Sequence, residues 1–347
     1  MPGWTNTPPA RARSATRNGR PCSGWPTGWR LASGIERGHA MKIVVFGAGG
    51  IGGYFGAMMA RASHDVTLVC RGAHLDAIRK HGLRIRHGKD EFTVSNLLAT
   101  DAPGAELADV VICGVKLYDL QDAAQAIRPV VGPGTLVVTT QNGIVAHRIL
   151  AEHLARGSVC PGTVLLSSHI VAPGVIERKT PTATLTLGDP DGKVSPAMLA
   201  FQRAGREAGF SVELSADIVS ELWQKFIMLA ATAALCCLSR QPVGPITGDA
   251  RLREQLERAM REAASVARAL AIPLPPDLIE KAMRFTDRAN PDAKVSMLED
   301  LEAGRRLEVE WIIGELCSQG RRAGVPTPIA DLALACLGPY RNGNRRG

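Results

Sequence analysis

Two hydrophobic periodicities divide the chain. Short apolar runs recur over the first part, KIVVF at 42–46, DVTLVC at 65–70, ADVVICGVKLYDL at 108–120 and GTLVVTTQNGI at 134–144. A helical segment follows the first run at βαβ spacing, so the pattern predicts strands of a parallel sheet with helices on its faces. From about Ser215 the period turns helical, with helices predicted at 216–239, 248–271, 275–289, 293–322 and 327–337. The proline-rich breaks IPLPP (272–276) and ANPDA (289–293) separate some of them. An α/β domain over 41–214 therefore precedes an all-helical domain over 215–338, and the cleft between two such domains is where a substrate site is expected.

The first strand runs into GAGGIGG (47–53), where Gly47, Gly49 and Gly52 occupy the glycine positions of G-x-G-x-x-G. The first glycine permits the tight turn, the second lets a pyrophosphate approach the backbone, and the third lets helix and strand pack closely. Gly47, Ala48, Gly49, Gly50, Ile51 and Gly52 are thus the expected dinucleotide cradle, with phosphate charge at the helix N-terminus. At the end of the second strand, where an NAD reader carries a carboxylate for the ribose, the chain has Cys70 and then Arg71. A guanidinium suits a 2′-phosphate, so NADP(H) is the expected cofactor; the competing reading of Arg71 is a solvated loop residue. Lys116 and Asn142 fall at the carboxyl ends of later strands, the ligand edge of such a sheet, although Asn-Gly is also plain turn chemistry.

In ELWQKFIMLAATAALCCL (221–238) one lysine opens an apolar helix, and from Phe226 to Leu238 no residue is charged. Lys225 either snorkels to water or works in the cleft. All eight histidines lie at or before residue 169, so the helical side offers no histidine as a proton donor. Reduction of a ketone needs a proton at the developing alkoxide, and a lysine desolvated among Phe226, Ile227 and Leu229 would have its pKa lowered toward working pH. The apolar run after Lys225 is shorter than a bilayer span, and no membrane association is expected.

Charge changes the picture little. Of the net +8, the first forty residues contribute six arginines against one glutamate, and the last seven residues three more. The body is nearly neutral, so nucleic-acid binding is not expected of it. Residues 1–40, rich in Pro, Gly, Ser and Arg, read as a disordered basic extension, and 339–347 as a basic tail. The eight cysteines form no C-x-x-C pair, which fits reduced thiols in a cytoplasmic protein and no metal site. No oligomeric state follows from the chain, a homodimer being compatible with it.

GAGGIGG (47–53), VKLYD (115–119), QNG (141–143), ELWQKF (221–226) and SMLEDLEAGRRLEVE (296–310) together resemble the ketopantoate reductase (2-dehydropantoate 2-reductase) family over about residues 41–338. The resemblance implies a Rossmann-type domain followed by a helical domain like the C-terminal one of 6-phosphogluconate dehydrogenase. It also implies NADPH-dependent reduction of a small 2-oxo acid to the 2-hydroxy acid, as in pantothenate biosynthesis. By position it makes Lys225 the general acid and Glu308 the carboxylate that orients it. Asn142 would lie between nicotinamide and substrate, Lys116 near the cofactor, and Ser296 at the substrate carboxylate. Family members that reduce ketopantoate generally have asparagines where this chain has Leu229 and Ala233, within about 40° and 80° of Lys225 on the helix. A second departure is Arg178, near which the family often has histidine. The apolar pair points to a more hydrophobic 2-oxo acid, ketone or imine as an alternative substrate, and a non-catalytic NADP(H) sensor is the reading from another class.

Overall fold

The computed structural model describes residues 40–154 and 159–343. All but the last residue of the expected extension 1–40, and the last four of the basic tail, lie outside the described residues.

In chain order the first elements are β1 (Lys42–Phe46), α1 (Gly50–Arg61), β2 (Asp65–Val69), α2 (Gly72–His81), β3 (Leu83–His87), β4 (Asp90–Val94) and β5 (Leu98–Thr100). There follow β6 (Val110–Cys113), α3 (Leu120–Ile127), β7 (Leu136–Thr139), α4 (Ala146–Ala151), β8 (Val159–Cys160), β9 (Gly162–Leu165) and β10 (Ser168–Ala172). The α/β part closes with β11 (Val175–Arg178), β12 (Thr184–Leu187), α5 (Pro196–Glu207) and β13 (Ser211–Leu214).

Six strands form a parallel sheet in the order β5-β2-β1-β6-β7-β8, the doubly wound arrangement that the βαβ pattern predicts. Two of its interior strands, β6 (VVIC) and β7 (LVVT), are buried at every position, as a strand covered on both faces must be. Two smaller sheets, β10-β11-β3-β4 and β13-β12-β9, were not predicted from the sequence. The hairpins β3–β4, turning at Gly88-Lys89, and β10–β11, turning at Pro173-Gly174, do carry local glycine turns, whereas the parallel pairing of β11 with β3 joins segments far apart in the chain and has no local signal.

The remaining elements are helices: α6 (Ile218–Ser239), α7 (Val243–Gly248), α8 (Ala250–Ala269), α9 (Leu278–Asp287), α10 (Ser296–Glu302), α11 (Val309–Ala323) and α12 (Pro328–Leu337). Asp217 caps α6 by accepting from the Ser220 N–H at 3.1 Å, and Arg240 ends it in the left-handed region at φ 57°. At 22 residues α6 is long and apolar enough to cross a bilayer, longer than the run expected to fall short. It is packed instead by α8, α10, α11 and α12, the surroundings of a core helix. The single helix predicted over 293–322 is broken in two. Gly304 takes φ 64°, and the Arg305 N–H returns to the Asp300 carbonyl at 2.8 Å, which turns the chain before α11 starts.

One face of the sheet shares an apolar core with the helices, while a second buried cluster, with Ile43, Phe55, Leu185 and Phe201, belongs to the α/β part alone. Val44, Val111, Cys113 and Leu117 belong to the same buried cluster as Phe226, Ala233, Leu298 and Ile312. The change near residue 215 is thus one of secondary structure and not a gap in packing.

Candidate active site

The glycine turn separates what the protein needs from what a ligand needs. Gly47 has φ 97°, and a Cβ there would stand 2.6 Å from the Val115 nitrogen. A Cβ on Gly52 would stand 2.4 Å from the Gly47 carbonyl oxygen. Gly49 has an ordinary extended conformation, φ −71° and ψ −164°, and a Cβ on it would meet nothing within 4 Å. No protein contact demands glycine at 49, so the open space beside it fits a group that comes up against the backbone from outside. That space adjoins the start of α1, which has no side-chain cap and no acidic residue in its first turn. Backbone N–H groups are left there for an anion. Ala48 and Ile51 complete the turn, and at Gly50 a Cβ would collide with the Ser168 carbonyl at 2.2 Å, because β10 crosses the helix start. The cradle residues fit a dinucleotide pyrophosphate.

Two side chains next to this turn carry charge or protons. Arg71 stands at the N-cap of α2, and its guanidinium donates to Asp119 Oδ2 at 3.0 Å. His74, three residues on, went unnoticed in the sequence. Its Nε2 lies 3.1 Å from the Ala48 carbonyl while Nδ1 accepts from the Gly174 N–H at 3.0 Å, an arrangement satisfied by the neutral ring with its proton on Nε2. Burial lowers the His74 pKa, which favours that form.

At the ligand edge of the sheet, Lys116 follows β6 and is held by two carboxylates of the helical part. Its Nζ donates to Asp300 Oδ2 at 2.9 Å and to Glu308 Oε2 at 3.1 Å. Burial pulls the Lys116 pKa down, but Glu308 and Asp300 together outweigh it and hold the amine above its ordinary value. Glu308 is buried, and its other oxygen accepts from the Leu117 N–H at 2.8 Å. Glu308, which the resemblance makes the carboxylate that orients Lys225, pairs in this structure with Lys116. Both its oxygens are engaged by the 116–117 segment, which the turn after Gly304 brings it to face. Asp300, also missed in the sequence, is clamped by Arg305 Nε at 2.7 Å on its second oxygen. The neighbouring strand end is fixed by buried Gln141, whose Nε2 donates to the Cys113 and Val115 carbonyls, both at 3.1 Å. Asn142 follows it half-buried, and its side chain makes no hydrogen bond among the described residues.

Lys225 lies two turns into α6, half-buried, and donates to the Val164 carbonyl of β9 at 2.9 Å. No ion pair to it occurs among the described residues. Burial pushes its pKa down to about 8. One and two turns further, Leu229 is half-buried and Ala233 buried. Ser296 is exposed at the first position of α10. Arg178, whose place in the sequence had no explanation, donates to the Tyr54 hydroxyl at 2.9 Å and lies over its ring. A separate cleft of about 510 Å³ between α2 and β5 is lined by none of these site residues.

The model of the family described as ketopantoate reductase PanE/ApbA matches residues 43–192, and that of its C-terminal domain residues 217–341. A 2-dehydropantoate 2-reductase of Mesorhizobium japonicum is 30% identical over 318 residues, covering 86% of this chain and 97% of the relative. The chain belongs to the ketopantoate reductase family. As such it is an oxidoreductase acting on CH–OH, within a nicotinamide-dependent family, and its helical part is of the 6-phosphogluconate dehydrogenase C-terminal type. The solved PanE/ApbA family ketopantoate reductase of Ralstonia eutropha JMP134 superposes with a TM-score of 0.80 at 28% identity, covering 87% of this chain and 98% of that one. D-mandelate dehydrogenase in a ternary structure with NADH and anilino(oxo)acetate shares the fold with a TM-score of 0.80 at 21% identity, over 87% of this chain and 98% of the other.

Proposed function

We propose that the protein reduces the keto group of a 2-oxo acid to the 2-hydroxy acid in the cytoplasm, with NADPH as reductant and Lys225 as general acid. The observation that carries this reading is the contrast between two lysines. Lys116 sits between two carboxylates and stays charged, whereas Lys225 has only a carbonyl partner and a pKa of about 8. Environments that push like groups apart assign their roles. Lys225 gives up its proton near neutral pH, and Lys116 is a fixed cation.

The dinucleotide, held by the 47–52 turn with Arg71 toward its ribose phosphate, supplies hydride. Lys225 delivers its proton to the oxygen on which negative charge develops. The Val164 carbonyl fixes the direction of the ammonium. Asn142, with an uncommitted amide at the strand end, orients the keto group beside the cofactor, and Ser296 holds the substrate carboxylate.

Ketopantoate or a close analogue is the substrate this reading names. Leu229 and Ala233 favour a second one, a bulkier and more hydrophobic 2-oxo acid, ketone or imine, because the face next to Lys225 offers no hydrogen bond at those two positions. NADPH oxidation followed by absorbance, with ketopantoate beside a panel of bulkier compounds, decides between them. Lys225→Ala decides against a non-catalytic sensor if it abolishes turnover while NADPH still binds. Unchanged behaviour of that variant would refute the general-acid role.

A further inference from the structure

The Arg71–Asp119 pair lies where the ribose of a dinucleotide is read. Arg71 directly follows Cys70 at the end of β2, and Asp119 closes the short 3₁₀ turn Leu117–Asp119 after β6. A ribose 2′-hydroxyl needs an acceptor such as a carboxylate, and a 2′-phosphate needs a cation. This chain has both, 3.0 Å apart.

The two partners differ in freedom. The Arg71 side chain is 84% exposed, against 33% for Asp119. The Asp119 N–H donates to the Lys116 carbonyl at 2.9 Å, and the Lys116 ammonium is tied to Asp300 and Glu308. Arg71 is therefore free to swing toward an incoming phosphate, while the Asp119 carboxylate is carried on an anchored turn and stays. A 2′-phosphate must then accept a negative neighbour and part Arg71 from it. An unphosphorylated ribose donates its 2′-hydroxyl to Asp119 with the ion pair left whole.

We propose that Asp119 sets the cofactor choice of this enzyme, blunting the preference that Arg71 confers on NADPH so that NADH is taken as well. The inference rests on the reading that a nicotinamide dinucleotide occupies the 47–52 turn.

The test is direct titration of NADPH and NADH, by fluorescence of the bound nicotinamide, on wild type, Asp119→Asn, Arg71→Ala and the double variant, with no oxo substrate present. Wild type should bind the two dinucleotides with Kd values within about tenfold of each other. Asp119→Asn should tighten NADPH by about tenfold, the scale of one like charge removed from a solvated site, and leave NADH unchanged or weaker. Arg71→Ala should weaken NADPH alone, and in the double variant the gain from Asp119→Asn should shrink. If Asp119→Asn moves neither Kd, or wild type binds NADPH more than about a thousandfold better, the role given to Asp119 is wrong while the dinucleotide site stands. If wild type binds neither dinucleotide, the parent reading falls and this one with it. Arg71 is exposed and Asp119 half-buried, so folding of the variants is checked by their thermal unfolding.

Discussion

Replacing Lys225 by methionine removes an amine from a place that disfavours its charge while keeping the apolar stem. In the folded protein the Lys225 pKa falls from 10.5 to about 8. The folded state thus binds fewer protons than the unfolded chain between those values, and the charged amine penalises folding fully below pH 8. The penalty is about 3 kcal/mol at pH 7, and it fades as pH rises toward 10.5. Losing the donor to the Val164 carbonyl costs Lys225→Met about 1–3 kcal/mol, which hides part of the gain at any one pH. That cost does not depend on pH, so the change in the difference isolates the ionisation. Urea unfolding of both proteins at pH 7, 8, 9 and 10 should show wild type gaining about 2.5 kcal/mol on Lys225→Met across the series. The other titrating groups are common to both proteins and cancel in the comparison. Reduction by wild type should fall as pH rises through about 8, where Lys225 loses the proton it donates. A stability difference that stays flat from pH 7 to 10 would refute the desolvated amine and, with it, the reason for choosing Lys225 over Lys116.

Four further outcomes are expected. Gly49→Ala should leave thermal stability within about 0.5 kcal/mol of wild type yet weaken NADPH binding at least about tenfold in a fluorescence titration, because its Cβ meets no protein atom. Gly52→Ala, forced against the Gly47 carbonyl, should instead lose about 1–3 kcal/mol in urea unfolding. Glu308→Gln should cost about 1–2 kcal/mol of stability through Lys116, with the alkaline limb of the pH–rate profile staying near 8. A limb displaced by a full pH unit would show that Glu308 reaches Lys225 during turnover. Leu229→Asn combined with Ala233→Asn should raise kcat/KM for hydroxylated ketopantoate relative to bulkier apolar 2-oxo acids by about tenfold or more, as measured across the substrate panel.

The parts of the site written in contiguous residues were legible. GAGGIGG after an apolar run announces its turn because strand, glycines and helix are neighbours, and the strand read at 42–46 is the one observed. Lys225 stood out because a single charge opened a long apolar helix, predicted at 216–239 and found at Ile218–Ser239. The partner of Glu308 was not legible. It depends on a break at residues 303–308 inside what reads as one helical run, and on contact with a lysine 192 positions earlier. Asp300 and Gln141 were missed for a related reason. Each acts through hydrogen bonds to a backbone or an amine brought in by the fold, which no spacing rule encodes. Arg71 stood out locally as a cation where an NAD reader carries a carboxylate, but nothing local predicts that Asp119, 48 positions later, would face it.

The tie between Lys116 and its two carboxylates also bears on how the protein is made. Asp300 and Glu308 follow Lys116 by 184 and 192 residues. At about 5–20 residues per second, a translating ribosome leaves that lysine waiting roughly 10–40 seconds before either partner has been synthesised. The glycine turn and the strands of the parallel sheet are synthesised long before then, while the ligand edge still lacks the helices that complete it. Over that interval the sheet face that Val44 and Val111 present to Phe226 and Leu298 stays uncovered, which is where misassembly of the early half would begin.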